Sequence, residues 1–251
     1  MKRTVLLFAL ALAGAVRADA QPAPSECGPL LGCADPRGCP NLRTDSRSLD
    51  STFIQVLVFS PTSCPVVEGD VVAGARRLIS FASILPNLGP GDLSIGRPID
   101  HLGLFEYQVC HDHYHLRGYA AYRLWTPAGY SRWTQLRAAN PDVCSSDLLA
   151  AHAPVAREMV SGRKQGFCVI DVEEVCPAGL PWRYGDCDLN QGISVGWSDI
   201  YSAFTEGQWI DITDLAAGTY VIEIEVNPLR LVTETNYMDN VAAKVVDIPA
   251  Q

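Results

Sequence analysis

The chain has 251 residues, with 19 basic against 28 acidic side chains, a net charge of −9 and nine cysteines. That acidity argues against nucleic acid or an anionic membrane surface as a partner and mildly favours cationic ones. The length suits one large all-β domain or two small domains, and no linker, internal repeat or low-complexity tract divides it.

The chain opens MKRTVLLFALALAGAVRADAQPAP: two early cations, an apolar run from Val5 to Val16 and the small-residue triplet Ala18-Asp19-Ala20. This reads as a secretory signal over residues 1–20, cut before Gln21, with an apolar run too short to span a bilayer. No later apolar run is longer, so the expectation is an exported protein, periplasmic or extracellular, without membrane insertion. Losing Lys2, Arg3 and Arg17 against Asp19 would take the net charge from −9 to −11. All the cysteines follow the signal, which fits an oxidising compartment and several disulfides. Their odd number leaves at least one without a partner in the chain.

Residues 26–41, rich in Cys, Gly and Pro, read as irregular stapled structure. Strand-like runs follow at 51–59, 76–82, 104–109 and 119–125, separated by Pro, Gly and Asp clusters. The clearest strand is GTYVIEIEVN, residues 218–227. Tyr220, Ile222, Ile224 and Val226 share one face and Glu223 and Glu225 the other, the mark of a half-buried antiparallel strand. VAAKVVDI (241–248) can pair with it across the intervening loop. Helical periodicity is confined to LLAAHAPVAREMV (148–160). Together these predict an all-β, β-sandwich-like single domain with long disulfide-stapled loops over residues 21–251.

CHDHYH, residues 110–115, holds three of the chain's five histidines. His111, His113 and His115 alternate, so in a strand all three point to one face. Three neutral imidazoles suit copper or zinc, and nitrogen-only ligation with room for water or oxygen fits Cu(II). A zinc hydrolase site is the rival reading, and a solvent-facing strand that happens to carry histidines is the plainer one. His101 and His152 read as ordinary surface or hydrogen-bonded residues.

The segment CHDHYHLRGY resembles the copper-binding motif of the lysyl oxidase family. The resemblance continues in order through RKQGFC (163–168), QGISVGWSDIY (191–201), GQWIDITDLAAGTY (207–220) and EVNPLRLVTETNYMDN (225–240). It implies a secreted copper amine oxidase of the protein-lysine 6-oxidase type. Such an enzyme takes primary amines and oxygen, and releases aldehyde, ammonia and hydrogen peroxide. Peptidyl-lysine is the family's substrate, and for a chain of bacterial type small amines or cell-envelope proteins are equally open.

The resemblance places copper on His111, His113 and His115. It places a self-derived lysine tyrosylquinone at Lys164 of KQGFC and Tyr201 of SDIY. Cross-linking needs an unprotonated amine, which burial of a lysine supplies. Asp199, two residues before Tyr201, is the candidate base, with a purely structural carboxylate as its alternative. Taken alone, Lys164 reads as a surface lysine and Tyr201 as a packed tyrosine; only their motif contexts reverse this.

The resemblance further implies bridges Cys110–Cys187 and Cys168–Cys176, and leaves Cys64 to pair with Cys27, Cys33 or Cys39. Relatives carry cysteine where this chain has Asp70, Trp197 and Gly207. ETNYMDN resembles the family's calcium loop. Glu234, Asn236, Asp239 and Asn240 would be its hard oxygen ligands, with Asn41 and the Leu42 carbonyl completing the set. A capped hairpin loop without metal is the alternative.

The residues from Tyr130 to Ala156 are additional to the family pattern. They contain DVCSSDL (142–148), which is also the translation of a common sequencing adapter. The segment is therefore read as a lineage-specific insertion or as an assembly artefact, and without Cys144 the cysteines would be even in number. A secreted metal-binding β-sandwich, either a zinc hydrolase or a non-enzymatic interaction domain, is the alternative function.

Overall fold

The computed structural model describes residues 38–164, 166–175 and 179–250. The expected signal at 1–20 and the cysteines Cys27, Cys33 and Cys176 lie outside the described residues. Strands β1 (Phe53–Phe59), β2 (Gly74–Ser80), β3 (Ser83–Pro86) and β4 (Leu93–Gly96) come first, with one helical turn, α1 (Cys64–Val67), between β1 and β2. Strands β5 (Phe105–Gln108), β6 (His113–Arg117) and β7 (Ala120–Trp125) follow. Helices α2 (Pro127–Ala139), α3 (Ser145–Ala151) and α4 (Ala153–Ala156) separate them from β8 (Met159–Ser161) and β9 (Gly166–Phe167). The remainder is β10 (Glu173–Glu174), β11 (Gln191–Ile193), β12 (Trp197–Tyr201), β13 (Trp209–Asp211), β14 (Gly218–Val226) and β15 (Val241–Ile248).

The all-β expectation holds, and among the described residues the strands divide into five small antiparallel sheets. The widest runs β15-β14-β7-β8, and the histidine segment lies in another, β5-β6-β9. Ile79, Phe81, Tyr122, Phe167, Ile222 and Ile224, drawn from several sheets, share one buried apolar core. β15 pairs with β14 from Gly218↔Ile248 to Glu225↔Val241, the pairing read from the alternation. Among the described residues no helix is long and apolar enough to cross a membrane.

One face of β14 departs from expectation. Ile222, Ile224 and Val226 enter the main core as predicted, but Glu223 and Glu225 are only 0 % and 6 % exposed. The cover comes from α2 and the start of α3. Thr126 caps α2 by accepting the Gly129 N–H at 3.0 Å, and Pro127 opens the helix where its missing N–H costs nothing. This lays Trp133 over the sheet, stacked on Trp125 with ring centroids 5.5 Å apart. Trp133 Nε1 donates to Glu223 Oε2 at 3.1 Å, and Ser145 Oγ donates to Glu225 Oε1 at 2.6 Å. Beneath them Arg123 of β7, opposite Glu223 in register, donates to Glu223 at 2.8 Å and to Glu225 at 2.5 Å.

The helix expected over 148–160 is broken. His152 leaves the helical region at φ −123. Pro154 then opens a fresh turn, α4, because proline cannot continue a helix from within. Met159–Ser161 become β8 and pair with β7 instead.

Candidate active site

In the β5–β6 hairpin, Gln108 pairs with His113, so Val109 to Asp112 form the turn. Asp112 adopts a left-handed conformation, φ 56, which aspartate tolerates better than most residues. The expectation that all three histidines share a strand is therefore corrected: His113 and His115 lie on β6, and His111 lies in the turn. Their rings still converge, with centroids 5.7, 5.3 and 4.9 Å apart. Each offers a nitrogen within 4.8 Å of the others. The closest pair, His113 Nε2 and His115 Nε2, are 3.0 Å apart.

Neighbouring strands set the rings. β9 pairs with β6 at Leu116↔Phe167 and Arg117↔Gly166. A Cβ at Gly166 would stand 3.0 Å from His115 Cβ and 3.4 Å from its Nδ1, so a larger residue there would push the histidine aside by a few tenths of an ångström. Gln191, fully buried, donates to the carbonyls of Tyr114 and Cys187 at 2.7 Å each and accepts the Val169 N–H at 3.0 Å. Burial and the nearby charges of Lys164, His113 and His111 push His115 down to about 3. Burial, with His111 beside it, also lowers His113. Both therefore stand as neutral imidazoles, the form that binds metal.

Lys164 is 6 % exposed. Its Nζ donates to the Glu206 carbonyl at 2.9 Å and lies 5.7 Å from the Tyr201 ring centroid and 5.9 Å from that of Phe167. Burial lowers its pKa, partly opposed by Asp70, Glu206 and Glu68. Gly207 makes the close approach possible: at φ +82, a Cβ there would fall 2.5 Å from Lys164 Cδ and 3.0 Å from Asp70 Oδ2. Asp70 and Gly207 are thus neighbours in this fold.

Tyr201 packs edge-on against Phe167 at 5.1 Å and donates its hydroxyl to the Cys168 carbonyl at 2.6 Å. Burial holds its phenol well above the usual range. Asp199 shares the same face of β12, two residues back. It is 1 % exposed, its Oδ2 has no hydrogen-bond partner, and burial pushes its carboxyl well upward.

Sequence reading missed Glu68 and Asp70, on the loop after α1. Glu68 Oε2 lies 3.2 Å from His111 Nε2. Burial pushes Asp70 up to about 6, against the pull of Lys164. The only signal for either in the sequence is the carboxylate at 70 in place of a cysteine.

The disulfides explain how that loop arrives, and they correct the expected pairings. Cys64 bridges Cys110 (Cα–Cα 5.7 Å), and Cys168 bridges Cys187 (Cα–Cα 5.3 Å). Cys110–Cys187, Cys168–Cys176 and any bridge from Cys64 to Cys27, Cys33 or Cys39 are thereby replaced. Cys110 sits at the hairpin tip facing α1, whereas Cys187 lies beside Cys168 at the strand's flank. The sulfurs of Cys168 and Cys187 come near a His113 nitrogen, but bonded to each other they do not compete as metal ligands. Cys144, expected as the odd cysteine, is disulfide-bonded, as is Cys39.

Non-reducing peptide mapping is expected to recover Cys64 linked to Cys110 and Cys168 linked to Cys187. A Cys110–Cys187 fragment would reject this arrangement. Replacing Cys64 and Cys110 with serine should cost about 2–4 kcal/mol, the usual worth of a bridge closing a long loop.

The suspected calcium residues gather in part. Glu234 accepts the Leu42 N–H at 2.6 Å and the side-chain amides of Asn227 and Asn240 at 2.6 and 2.8 Å. Asn41 donates to Asp239 at 3.0 Å, while Asn236 turns back to accept the Met238 N–H. Asp239 Oδ1 and Asn240 Oδ1 are buried without partners. Burial raises Glu234 to about 7. Of the other histidines, His101 is exposed, and the His152 ring bonds the Leu148 carbonyl at 2.9 Å.

The fold and site together define a disulfide-stapled all-β protein with three converging histidines and an amine held over a phenol ring. The lysyl oxidase family model matches residues 141–248, a span holding Lys164, Asp199 and Tyr201 but not the histidine hairpin. The chain is 29% identical to "Protein-lysine 6-oxidase" of Bos taurus over 215 residues, covering 81% of this chain and 44% of that protein. It is 28% identical to "Lysyl oxidase homolog 1" of Homo sapiens, over 82% of this chain and 32% of that one. With "Lysyl oxidase homolog 4" of Mus musculus the identity is 30%, over 66% and 18%. Over residues 141–248 the chain matches the lysyl oxidase family, and over about four fifths of its length it is similar to proteins of that family. It spans less than half the length of these relatives.

Proposed function

We propose that the chain is a copper-dependent amine oxidase that converts primary amines, peptidyl-lysine or small amines, to aldehydes with release of ammonia and hydrogen peroxide. The observation that carries this reading is Lys164 Nζ at 5.7 Å from the Tyr201 ring, with Lys164 and His115 lining one cavity. A zinc hydrolase or a purely structural metal module has no use for that pairing.

His111, His113 and His115 fit Cu(II): three nitrogens within reach of one ion, at least two of them on neutral rings. Copper with oxygen would supply the oxidising power, and lysine tyrosylquinone the electrophilic carbonyl and electron sink for the amine. Around them the chain's own residues position and move protons. The lowered pKa of Lys164 makes its neutral amine accessible for cross-linking, and the Glu206 carbonyl holds the nitrogen over the ring. The Cys168 carbonyl fixes the Tyr201 hydroxyl. Asp199 is the proposed proton acceptor, because a buried carboxylate with a free oxygen is a stronger base than an exposed one.

We extend the reading to calcium at the 234–240 loop with Asn41 and Leu42, supported by the two unpartnered oxygens of Asp239 and Asn240. Export after cleavage near residue 20 is supported by the disulfides. Residues 130–156 are read as part of the native domain, because Ser145, inside the adapter-like heptapeptide, satisfies a buried carboxylate. A genomic read that lacks the heptapeptide would reverse that.

Protein made without copper should show no quinone absorbance and should gain it on adding copper and oxygen. A digest should then contain the Lys164 and Tyr201 peptides joined, and phenylhydrazine should give a coloured adduct. The His111→Ala, His113→Ala, His115→Ala triple variant should bind well under one equivalent of copper and form no cross-link. Copper-loaded wild type that yields both peptides separate and unmodified rejects the oxidase in favour of the metal-binding module.

A further inference from the structure

Cys168 directly follows β9, and Cys187 precedes β11 by a short loop. Their bridged sulfurs and a ring nitrogen of His113 all lie within 4.8 Å of one another. Cys168 is 6 % exposed, while Cys187 and His113 are half-buried, so a small reagent reaches the bridge from the Cys187 side.

The bridge is not the only thing that keeps these residues together. Gln191 donates to the carbonyls of Cys187 and of Tyr114, the neighbour of His113 on β6, and accepts the Val169 N–H next to Cys168. The Gly192 N–H donates to the Val169 carbonyl at 2.9 Å, and the Tyr201 hydroxyl donates to the Cys168 carbonyl at 2.6 Å. These contacts fasten the backbone beside both cysteines to β6, β11 and β12, and none of them needs the sulfur–sulfur bond.

Bonded to each other, the sulfurs are poor ligands. A dithiol opens the bridge by giving up two electrons and two protons and closing its own disulfide, which leaves two cysteine thiols. A metal that binds them displaces their protons to solvent. Two thiolates and one imidazole are a soft donor set that suits Cu(I), whereas three imidazoles suit Cu(II).

We propose that Cys168, Cys187 and His113 form a second metal site, taking Cu(I) and present only when the bridge is open. His113 is common to both donor sets, so the two cannot be fully occupied at once. The state of the bridge decides whether this side of the hairpin offers sulfur or nitrogen alone. This goes beyond the oxidase reading and does not depend on it.

The test titrates Cu(I), without oxygen and against bathocuproine disulfonate as competing chelator, before and after the protein is treated with a dithiol, with near-ultraviolet circular dichroism reporting the fold. Opening the bridge should add a thiolate-to-copper ultraviolet band and tighten Cu(I) binding at least about tenfold, since losing even a supporting contact to a metal costs that much. The Cys168→Ser, Cys187→Ser protein should lose both gains, and the Cys64→Ser, Cys110→Ser protein should keep them. Equal gains in these two double variants overturn the site. Because the dithiol opens other bridges too, Cys187→Ser is also titrated without reductant. Its Cys168 thiol with His113 should bind Cu(I) more tightly than the oxidised wild type, and adding His113→Ala should remove the difference. An untreated Cys187→Ser protein that binds Cu(I) no better than wild type rejects the site, whether or not the reduced chain keeps its fold.

Discussion

Replacing Tyr201 with phenylalanine is expected to reduce amine oxidation to background and to eliminate quinone absorbance, with copper still bound. Only the hydroxyl makes the ring oxidisable, so its loss stops cofactor formation before any substrate is met. The ring itself stays, and with it the edge-on packing against Phe167 at 5.1 Å. The fold loses one hydrogen bond, to the Cys168 carbonyl, worth about 1 kcal/mol. The histidine hairpin belongs to a different sheet from β12 and keeps its geometry. Copper content, circular dichroism and peroxide release measured on one preparation separate these effects. A Tyr201→Phe protein that still releases peroxide from an amine at a tenth of the wild-type rate or more would remove Tyr201 from the chemistry. Lys164→Ala should likewise yield no cross-linked peptide.

The largest stability effect is expected from Arg123→Met. Arg123 donates to both Glu223 and Glu225, and all three are buried. Without the guanidinium, two carboxylates stay in the interior with Trp133, Ser145 and the more distant Arg137, 3.5 Å from Glu223, as partners. Removing one member of such a network costs about 3–5 kcal/mol, or a fall in Tm on the order of 10 °C for a chain of this size. Adding Glu223→Gln and Glu225→Gln to Arg123→Met removes the stranded charges and should recover much of the loss. If the single variant melts within a degree or two of wild type, the network is not what fastens α2 and α3 to the sheet.

That network also marks where reading the sequence stops. The two-residue period of GTYVIEIEVN located β14 and its core face, because alternation along a strand is local geometry. It could not reveal that the glutamate face is covered as well. The cover is formed by residues 127–151, nearly a hundred positions away in the chain, and α2 shows little amphipathic pattern of its own. The Thr126-Pro127 pair was its only local mark.

The histidines show the same division. Their spacing predicts three converging rings, and the rings do converge, yet His111 joins them from a turn rather than from the strand. Short-range spacing survives such a change because three rings within five residues stay close in any extended or turned backbone.

The all-β class, the clustering of three histidines, the motifs bearing Lys164 and Tyr201, and the pairing of β14 with β15 were all legible along the chain. Each rests on local periodicity or on contiguous motifs. Tertiary structure alone decided which cysteines bridge, because partner choice follows distance in space: Cys110 meets Cys64 and Cys168 meets Cys187. It also decided that Lys164 is buried over the Tyr201 ring beneath Gly207, and that Glu68 and Asp70 stand beside the histidines. The pKa shifts of His115, Lys164 and Asp199 come from that burial and from charges brought together by folding, neither of which is a property of any residue's neighbours along the chain.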